Sequence, residues 1–269
     1  MSKQYAIPLS PRGLSSVAPP PPWHYSGDFL AIEFWADPAV AAAVLPKGLS
    51  ADPASPGHAS AMFIDWQFTG ENDEYLDPAR YQYREFFILV DAMYEGEPVS
   101  YCPYIFVDND SAMMRGLIQG FPKRLAQVHQ TRTFSAPSAA AAQVAPGARF
   151  GASASAAGQR LARAEVKLES AISDPSKLGI AGRPVVNLRY FPRLAAGQHE
   201  NPAVNELVMS IMDNAKITDV WGGEGKLSLP FAEGEEIFDL QPVRVGAGFR
   251  GSMSYTVTDL KTLIDNTNK

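Results

Sequence analysis

Cysteine pairs, long apolar runs and blocks of like charge are all missing from this chain of 269 residues. Its single cysteine, Cys102, cannot form a disulfide within the chain, so a reducing compartment is expected. No window approaches the apolar length of a membrane-spanning helix, and the segment MSKQYAIPLSPRGLSS lacks the apolar core of a signal peptide. A net charge of −6 without a long block of one sign argues against nucleic acid or an anionic membrane as the main partner. These features predict a soluble cytoplasmic protein.

Several common site motifs are also missing. The four histidines show no metal-ligand spacing, and the acidic pair Asp108 and Asp110 in VDNDS fits a helix cap better than a cation site. The glycines of GARFGASASAAG do not follow the strand–GxGxxG–helix order of a dinucleotide site, and there is no GxSxG nucleophile elbow. The sequence therefore predicts neither a metal nor an organic cofactor.

Most of the chain is typical of β-strands. Segments rich in aromatic and β-branched residues are separated by turn formers, among them GDFLAIEFWA, YQYREFFILVDAMY, PVVNLRYFPRL and NELVMSIMDNAKITDVW. Short helices are expected over Pro38–Leu45, over Ser111–Ile118 with Asp110 or Ser111 as the cap, and over Val257–Thr267. Without βαβ alternation, this pattern predicts an α+β, mostly β chain whose strands close around a core or cavity.

Composition also suggests where the chain divides. Residues 1–22, which end in four prolines, are expected to form an extended N-terminal arm that packs on the body or on a neighbouring subunit, and residues 23–269 a single domain. The stretch 135–160 is biased to Ala, Ser and Gly. It could be a linker, but regular alternation resumes in LARAEVKLES, so we expect a hairpin of small-residue strands.

The segment GFPKR places Lys123 among apolar residues and directly before a second cation, Arg124. Attack on a carbonyl needs the neutral amine, whereas a free lysine has a pKa of about 10.4. Burial and a nearby cation both favour the neutral form. Arg124 could point away, because adjacent strand residues face opposite sides, and burial would then be the main cause. The alternative is a surface lysine in a turn.

The strand YQYREFFILV carries a second candidate. Alternation places Tyr81, Tyr83, Glu85, Phe87 and Leu89 on one face. A carboxylate on an inward face needs a partner or a proton, and it would suit proton transfer beside a Schiff base. The alternative is an exposed face with polar pairs between strands.

At these residues the chain resembles the acetoacetate decarboxylase family. RGLIQGFPKRLA is similar to the family's nucleophile segment, and YREFFILV to its Tyr-x-Glu strand. NELVMSIMDNAKITDVWGGEGKLSL and VLPKGLSADP resemble a late and an early segment, so the similarity runs in order from about residue 20 to residue 260. Acetoacetate decarboxylase is the standard example of a lysine that is activated by desolvation or by a neighbouring cation. The interpretation of GFPKR given above follows that example.

The resemblance implies roles residue by residue. Lys123 matches the Schiff-base lysine, Glu85 the active-site glutamate, and Arg124 the second lysine of the family's pair. Gln119 could bind a carboxylate or hydroxyl, and Tyr83 and Tyr255 are further lining candidates. The implied fold is a closed, cone-like β-barrel assembled into homo-oligomers, without a cofactor.

Two departures favour one branch of the family. Decarboxylases of this family carry an arginine before the first strand, where this chain has Gly27, and Arg124 replaces a lysine. Arg80 and Arg84 are the candidates to replace this arginine, but alternation directs Arg84 outward. Some members keep the lysine yet condense pyruvate with aldehydes and dehydrate the product. We therefore expect small oxo-acid and aldehyde substrates, with decarboxylation of a β-keto acid and non-catalytic ligand binding as the alternatives.

Overall fold

The structure, a computed structural model, describes residues 7–175, 178 and 182–267. In these residues the chain forms twelve strands and three short α-helices. The strands are β1 Trp23–Trp35, β2 Ser50–Ala51, β3 His58–Thr69, β4 Gln82–Tyr94, β5 Glu97–Val107, β6 Lys123–Leu125, β7 Gln127–Gln130, β8 Arg149–Ala156, β9 Gln159–Ala171, β10 Val185–Phe191, β11 Val204–Ser228 and β12 Arg244–Asp265. The helices are α1 Pro38–Ala43, α2 Pro78–Tyr81 and α3 Asp110–Ile118.

Seven strands form a closed ring. Hydrogen-bonded neighbours follow the order β10-β5-β4-β3-β1-β12-β11, and β11 pairs back with β10. The far half of the 25-residue strand β11 leaves the ring and pairs with β9, which continues to β8 and β7. The expected closed, mostly β fold is confirmed, as a ring of strands with an attached sheet rather than a regular barrel.

The ring strands pack apolar side chains on both faces. One face, with Ile32, Phe63 and Phe86, packs against the attached sheet. The opposite face contributes Tyr25 and Tyr83 to a second cluster, which draws on β1, β3, β4, β5, β11, β12 and helix α3. Because residues from strands all around the ring meet there with α3, this second cluster lies in the ring interior.

Three helix predictions need correction. The segment Val257–Thr267 is not helical: β12 runs to Asp265 and pairs with β11, for example Leu260 with Ser210. The long partner strand outweighs the weak helical propensity of this segment, since strand formation depends on pairing context. Helix α3 begins at Asp110, and the side chain that caps it belongs to Asn109, which accepts from the Ala112 N–H at 2.9 Å. Helix α1 ends at Ala43, two residues earlier than expected.

The small-residue stretch 135–160 is partly a hairpin. Strands β8 and β9 pair across the turn Ala157–Gly158, where both residues have positive φ, as a two-residue hairpin turn requires. Residues 135–148 hold only one isolated bridge, between Ser138 and Ala141. The hairpin prediction was therefore right from residue 149 onward and wrong before it.

The described part of the N-terminal arm, residues 7–22, contacts the body. Ala18 is fully buried in the interior cluster, and the Val17 carbonyl accepts a hydrogen bond from Arg115 Nη1 at 3.3 Å. No helix in the described ranges has the length and apolarity needed to span a bilayer.

Candidate active site

Strand pairing brings Lys123 and Glu85 together. Lys123 lies on β6, level with Ile105 of β5, and Glu85 on β4, level with Val107 of the same strand. The Lys123 Nζ to Glu85 Oε2 distance is 2.5 Å, and the two side chains are 7 % and 8 % exposed. A charged pair this deeply buried is retained in spite of its desolvation cost, which is typical of a functional site.

Helix α3 shapes the space for the lysine. A Cβ atom on Gly116 would lie 2.2 to 2.7 Å from Cδ, Cε and Cγ of Lys123, so only glycine lets the lysine stem lie against the helix. The helix ends at Ile118 with Gln119 as its C-cap, and Gly120 adopts a φ of 85°, which glycine accommodates without strain. This turn carries the chain from α3 directly into Lys123.

Tyrosines surround the pair. The Tyr83 ring centroid is 5.4 Å from Lys123 Nζ, and the rings of Tyr25 and Tyr255 lie 5.1 Å apart. Burial raises the pKa of Tyr83, and the charge of Glu85 and the neighbouring Tyr25 raise it further. Burial also raises the pKa of Tyr255, with Tyr25 and Glu85 adding to the effect. Both phenols therefore stay protonated at neutral pH and can donate a proton or a hydrogen bond.

Arg115 of α3 is a cation in the same interior. It is 1 % exposed, its Cζ lies 3.8 Å from the Phe68 ring centroid, and the same atom lies 5.7 Å from the Tyr83 ring. Burial raises the pKa of Tyr25, and Arg115 opposes this shift, as expected for a phenol close to the guanidinium. Among the described residues, no carboxylate oxygen lies within 4.0 Å of an Arg115 nitrogen, so Arg115 has no ion-pair partner there. A buried cation of this kind is suited to an anionic ligand.

Gln119 follows Arg115 by one helical turn. Its Nε2 donates to the Arg115 carbonyl and its Oε1 accepts from Ser210 of β11, both at 3.3 Å. Gln119 also acts to lower the pKa of Tyr25, against the larger effect of burial, which raises it. The structure thus brings Gln119 into the cluster that contains Arg115 and the tyrosines.

Buried polar atoms without partners mark the same region. Among the described residues, such side-chain nitrogen and oxygen atoms belong to Trp66, Arg115 and Asn187. The buried Arg189 Nε and Glu206 Oε2 are not unpaired, because they form a 3.0 Å ion pair with each other. Trp66 and Arg115 face the ring interior beside the tyrosines. Most buried polar groups in folded proteins are satisfied, so unpaired ones indicate a place where a ligand or water binds.

Arg124 lies on the other side of β6. Its Nη1 forms a 2.6 Å ion pair with Glu235 Oε2, and its side chain is 56 % exposed. It lines a cavity of about 510 Å³ with Tyr104, Phe106 and Phe231. Lys123 is not among the walls of this cavity, so the cavity is separate from the buried Lys123–Glu85 pair.

Gly27 leaves no room for the arginine found in decarboxylases. A Cβ at this position would lie 2.5 Å from the Asp65 carbonyl oxygen and 2.7 Å from the Trp66 ring. Arg84 pairs outward, with Asp65 at 3.8 Å and Asp108 at 3.6 Å, as alternation predicts.

Cys102 also borders the charged pair. Burial raises the pKa of its thiol, Glu85 raises it further, and Lys123 lowers it. No group of three or more His, Cys, Asp or Glu side chains suited to a metal occurs in the described ranges.

Comparison with known proteins places this fold and site in a family. The family model "Acetoacetate decarboxylase (ADC)" matches residues 5–266, nearly the whole chain. A search of curated proteins finds no match. The chain belongs to the acetoacetate decarboxylase family.

Solved structures of related enzymes share the fold. The enduracididine biosynthesis enzyme MppR, complexed with the condensation product of pyruvate and imidazole 4-carboxaldehyde, is 35 % identical with a TM-score of 0.87, over 96 % of this chain and 95 % of that one. MppR complexed with pyruvate is 34 % identical, with a TM-score of 0.87 and 97 % of both chains covered. An acetoacetate decarboxylase-like enzyme from Sphingomonas wittichii RW1 is 24 % identical, with a TM-score of 0.87 over 96 % and 99 % of the chains, and shows the fold alone.

Sequence reasoning found part of this constellation. The structure brings five of the candidate residues together in the interior, namely Lys123, Glu85, Tyr83, Tyr255 and Gln119, whereas Arg124 is directed to Glu235. Arg115, Tyr25, Trp66 and Asn187 were missed. A signal existed for Arg115: an arginine four residues before Gln119 on a short helix shares its face.

Proposed function

We propose that this protein is a Schiff-base-forming carbon–carbon lyase that acts on small oxo acids through Lys123. The observation that supports it most is the buried contact between Lys123 and Glu85 beside the buried Arg115. A nucleophile, a proton carrier and a cation for the substrate carboxylate are thereby grouped in one desolvated site.

Arg115 and Gln119 bind the carboxylate in this proposal. The guanidinium Nε and Nη2 have no partner among the described residues, and a planar guanidinium suits bidentate binding of a carboxylate. Lys123 Nζ and Arg115 Cζ lie 5.4 and 5.7 Å from the same Tyr83 ring. In this proposal, a short 2-oxo acid held by Arg115 presents its keto carbon to the lysine.

The reaction begins with addition of the Lys123 amine to the keto carbon. Glu85 first takes a proton from the Lys123 ammonium, which frees the amine. After addition, one N–H proton moves to the alkoxide oxygen and forms a hydroxyl; Glu85 then returns its proton to that hydroxyl, which leaves as water and gives an iminium. With pyruvate, the iminium loses a methyl proton to Glu85 and becomes an enamine, which is nucleophilic at that carbon.

The enamine then forms a carbon–carbon bond to an aldehyde. Tyr83 or Tyr255 gives its proton to the aldehyde oxygen, which becomes a hydroxyl. The tyrosinate takes back one of the two protons that remain on the attacking carbon, and Glu85 returns its proton to the hydroxyl, which leaves as water. A conjugated double bond results, and a second water then releases the product from Lys123. In sum, one pyruvate and one aldehyde give one unsaturated oxo acid and one water.

Condensation is favoured over decarboxylation by three observations. Gly27 and the Trp66 ring exclude the decarboxylase arginine, and Arg124 turns to Glu235 instead of accompanying the lysine. MppR, at 34–35 % identity, is complexed with pyruvate and with a condensation product. Decarboxylation of acetoacetate or a related β-keto acid is the second candidate, because the family match and the Lys123–Glu85 pair serve that reaction equally well.

Borohydride trapping with separate oxo acids tests the proposal. Pyruvate should give a pyruvate-sized adduct on the Lys123 peptide, and acetoacetate little acetone-sized adduct. An abundant acetone-sized adduct would mean that CO2 leaves and would establish the decarboxylase instead. No adduct with either acid would leave only non-catalytic binding of a small ligand.

Two variants serve as controls for trapping. Lys123→Arg keeps a cation beside the buried Glu85 carboxylate but removes the nucleophile, so it should trap nothing. Arg124→Gln keeps a donor for Glu235 and should trap pyruvate at the wild-type rate.

We also propose that the protein works in the cytoplasm as a homo-oligomer, with residues 1–22 as an arm on the single domain 23–269. Size-exclusion chromatography with light scattering checks the assembly, and a monomer at micromolar concentration would contradict it.

A further inference from the structure

Asn187 of β10 is a buried amide without a structural partner. Its side chain is fully buried, and neither Oδ1 nor Nδ2 has a hydrogen-bond partner within the described ranges. An unpaired buried amide costs stability, and an apolar side chain of the same shape would avoid that cost. The presence of this amide therefore requires an explanation other than packing.

Strand register places Asn187 on the interior face of β10 and β11. Asn187 lies opposite Val208, so Val208 and Ser210 share its face. Ser210 donates to Gln119, and a Cβ on Gly120 would lie 2.9 Å from Val208 Cγ2, so the end of α3 covers this face. The opposite face, with Val186 and Leu207, packs in a separate apolar cluster.

Asn187 and Arg115 lie on different walls of the site. Val186 pairs in parallel with Tyr101 of β5, and the same register sets Asn187 level with Cys102. The Cys102 thiol is close enough to respond to the charges of both Glu85 and Lys123. Arg115 instead contacts Phe68, Tyr81 and Tyr83 of the β3–α2–β4 wall. Lys123 and Gln119 lie between the two walls.

We propose that Asn187 is a specificity-determining residue that binds a polar group on the second substrate, the aldehyde. This inference rests on the function proposed above. A 2-oxo acid whose carboxylate is held by Arg115 directs its methyl carbon, the one that forms the new bond, away from Arg115. The aldehyde that meets this carbon extends toward the β5–β10–β11 wall, where Asn187 faces the interior.

The chemistry of the amide defines the class of aldehyde. Asn187 presents one acceptor oxygen and one donor nitrogen, and its side chain is fully buried. Its complement is a group that both donates and accepts, such as an N–H heterocycle or a hydroxyl. Sites built to hydrogen-bond a substrate discriminate strongly against analogues that lack the group, because the buried partner is then left unpaired.

A pair of matched ligands tests this proposal without turnover. The probes are the condensation products of pyruvate with imidazole-4-carboxaldehyde and with thiophene-3-carboxaldehyde, which share the carboxylate and the ring size but differ in ring N–H and N. Calorimetry should show that the wild-type protein binds the imidazole product about tenfold more tightly, equivalent to about 1.4 kcal/mol. Asn187→Leu, close in size but unable to hydrogen-bond, should lose that tenfold preference and bind the thiophene product as the wild type does.

Other outcomes overturn the proposal. If Asn187→Leu binds both ligands more weakly by the same factor, Asn187 only supports packing. If the variant keeps the wild-type preference for the imidazole product, or if the wild type has no preference, Asn187 does not contact the aldehyde portion. If Asn187→Leu does not fold, Asn187→Ala tests the same difference. Trapping of pyruvate on Lys123 distinguishes failure of this inference from failure of the proposed function. If an adduct forms but Asn187 does not discriminate between the ligands, only the inference about Asn187 is wrong. If no adduct forms, the proposed function is wrong.

Discussion

Replacing Gly116 with alanine should displace the Lys123 side chain from Glu85. The new Cβ would lie 2.2 Å from Lys123 Cδ, whereas ordinary contact begins at 3.4 Å. The lysine stem must therefore shift by about 1.2 Å, which is large beside the 2.5 Å contact that joins Nζ to Glu85. A displacement of about 1 Å at a reacting group can cost about 100-fold in rate.

Stability should respond differently from reactivity. Gly116 is within α3, where alanine is favoured over glycine by about 1 kcal/mol, and this gain offsets part of the steric cost. We expect the rate of borohydride trapping with pyruvate to fall by about 100-fold while the protein stays folded by circular dichroism.

Gly151→Ala is the matched control for this variant. Its Cβ would meet its nearest neighbour, the Ala164 carbonyl, at 3.7 Å, an ordinary contact, so its trapping rate should equal that of the wild type. If folded Gly116→Ala traps pyruvate at the wild-type rate, the reasoning is refuted, because the reactivity of Lys123 would then not depend on its stem packing against α3.

The remaining predictions concern the carboxylate site and acid stability. Arg115→Gln should raise the pyruvate concentration needed for half-maximal trapping by about 30-fold or more, since loss of one partner of a buried charge pair costs about 2 kcal/mol or more. Arg115→Lys keeps the charge and should recover part of the loss. An unchanged half-saturating concentration in Arg115→Gln would contradict the role of Arg115. Burial acts to raise the pKa of Asp52, but hydrogen bonds from Arg183, Ala54 and Ser55 outweigh it, so the pKa is lowered. The resulting stability is present above the unfolded-state pKa of about 3.9 and is lost as the pH falls through the lower folded value. Urea midpoints of the wild type should therefore fall more steeply below about pH 4 than those of Asp52→Asn, and parallel curves would contradict this.

The sequence predicted those candidate site residues that are unusual in their own local segment. Lys123 stood out because a cation in an apolar run needs a reason, and Glu85 because alternation placed a carboxylate among inward-facing residues. Their contact was not readable, because it depends on β5 pairing with β4 on one side and β6 on the other.

Residues supplied by distant strands were missed for the same reason. Asn187 looks like an ordinary polar strand residue until the β10–β11 register shows which face it occupies. The helix expected at the C-terminal end failed because the segment has a 25-residue partner in β11, and pairing outweighs local propensity.

Peptide mass spectrometry after borohydride reduction with carbon-13-labelled pyruvate tests the central claim most directly. The account predicts one label per chain, on the peptide that contains Lys123, and none in Lys123→Arg. Label on another lysine, or no label at saturating pyruvate, would contradict the assignment of Lys123 as the Schiff-base nucleophile.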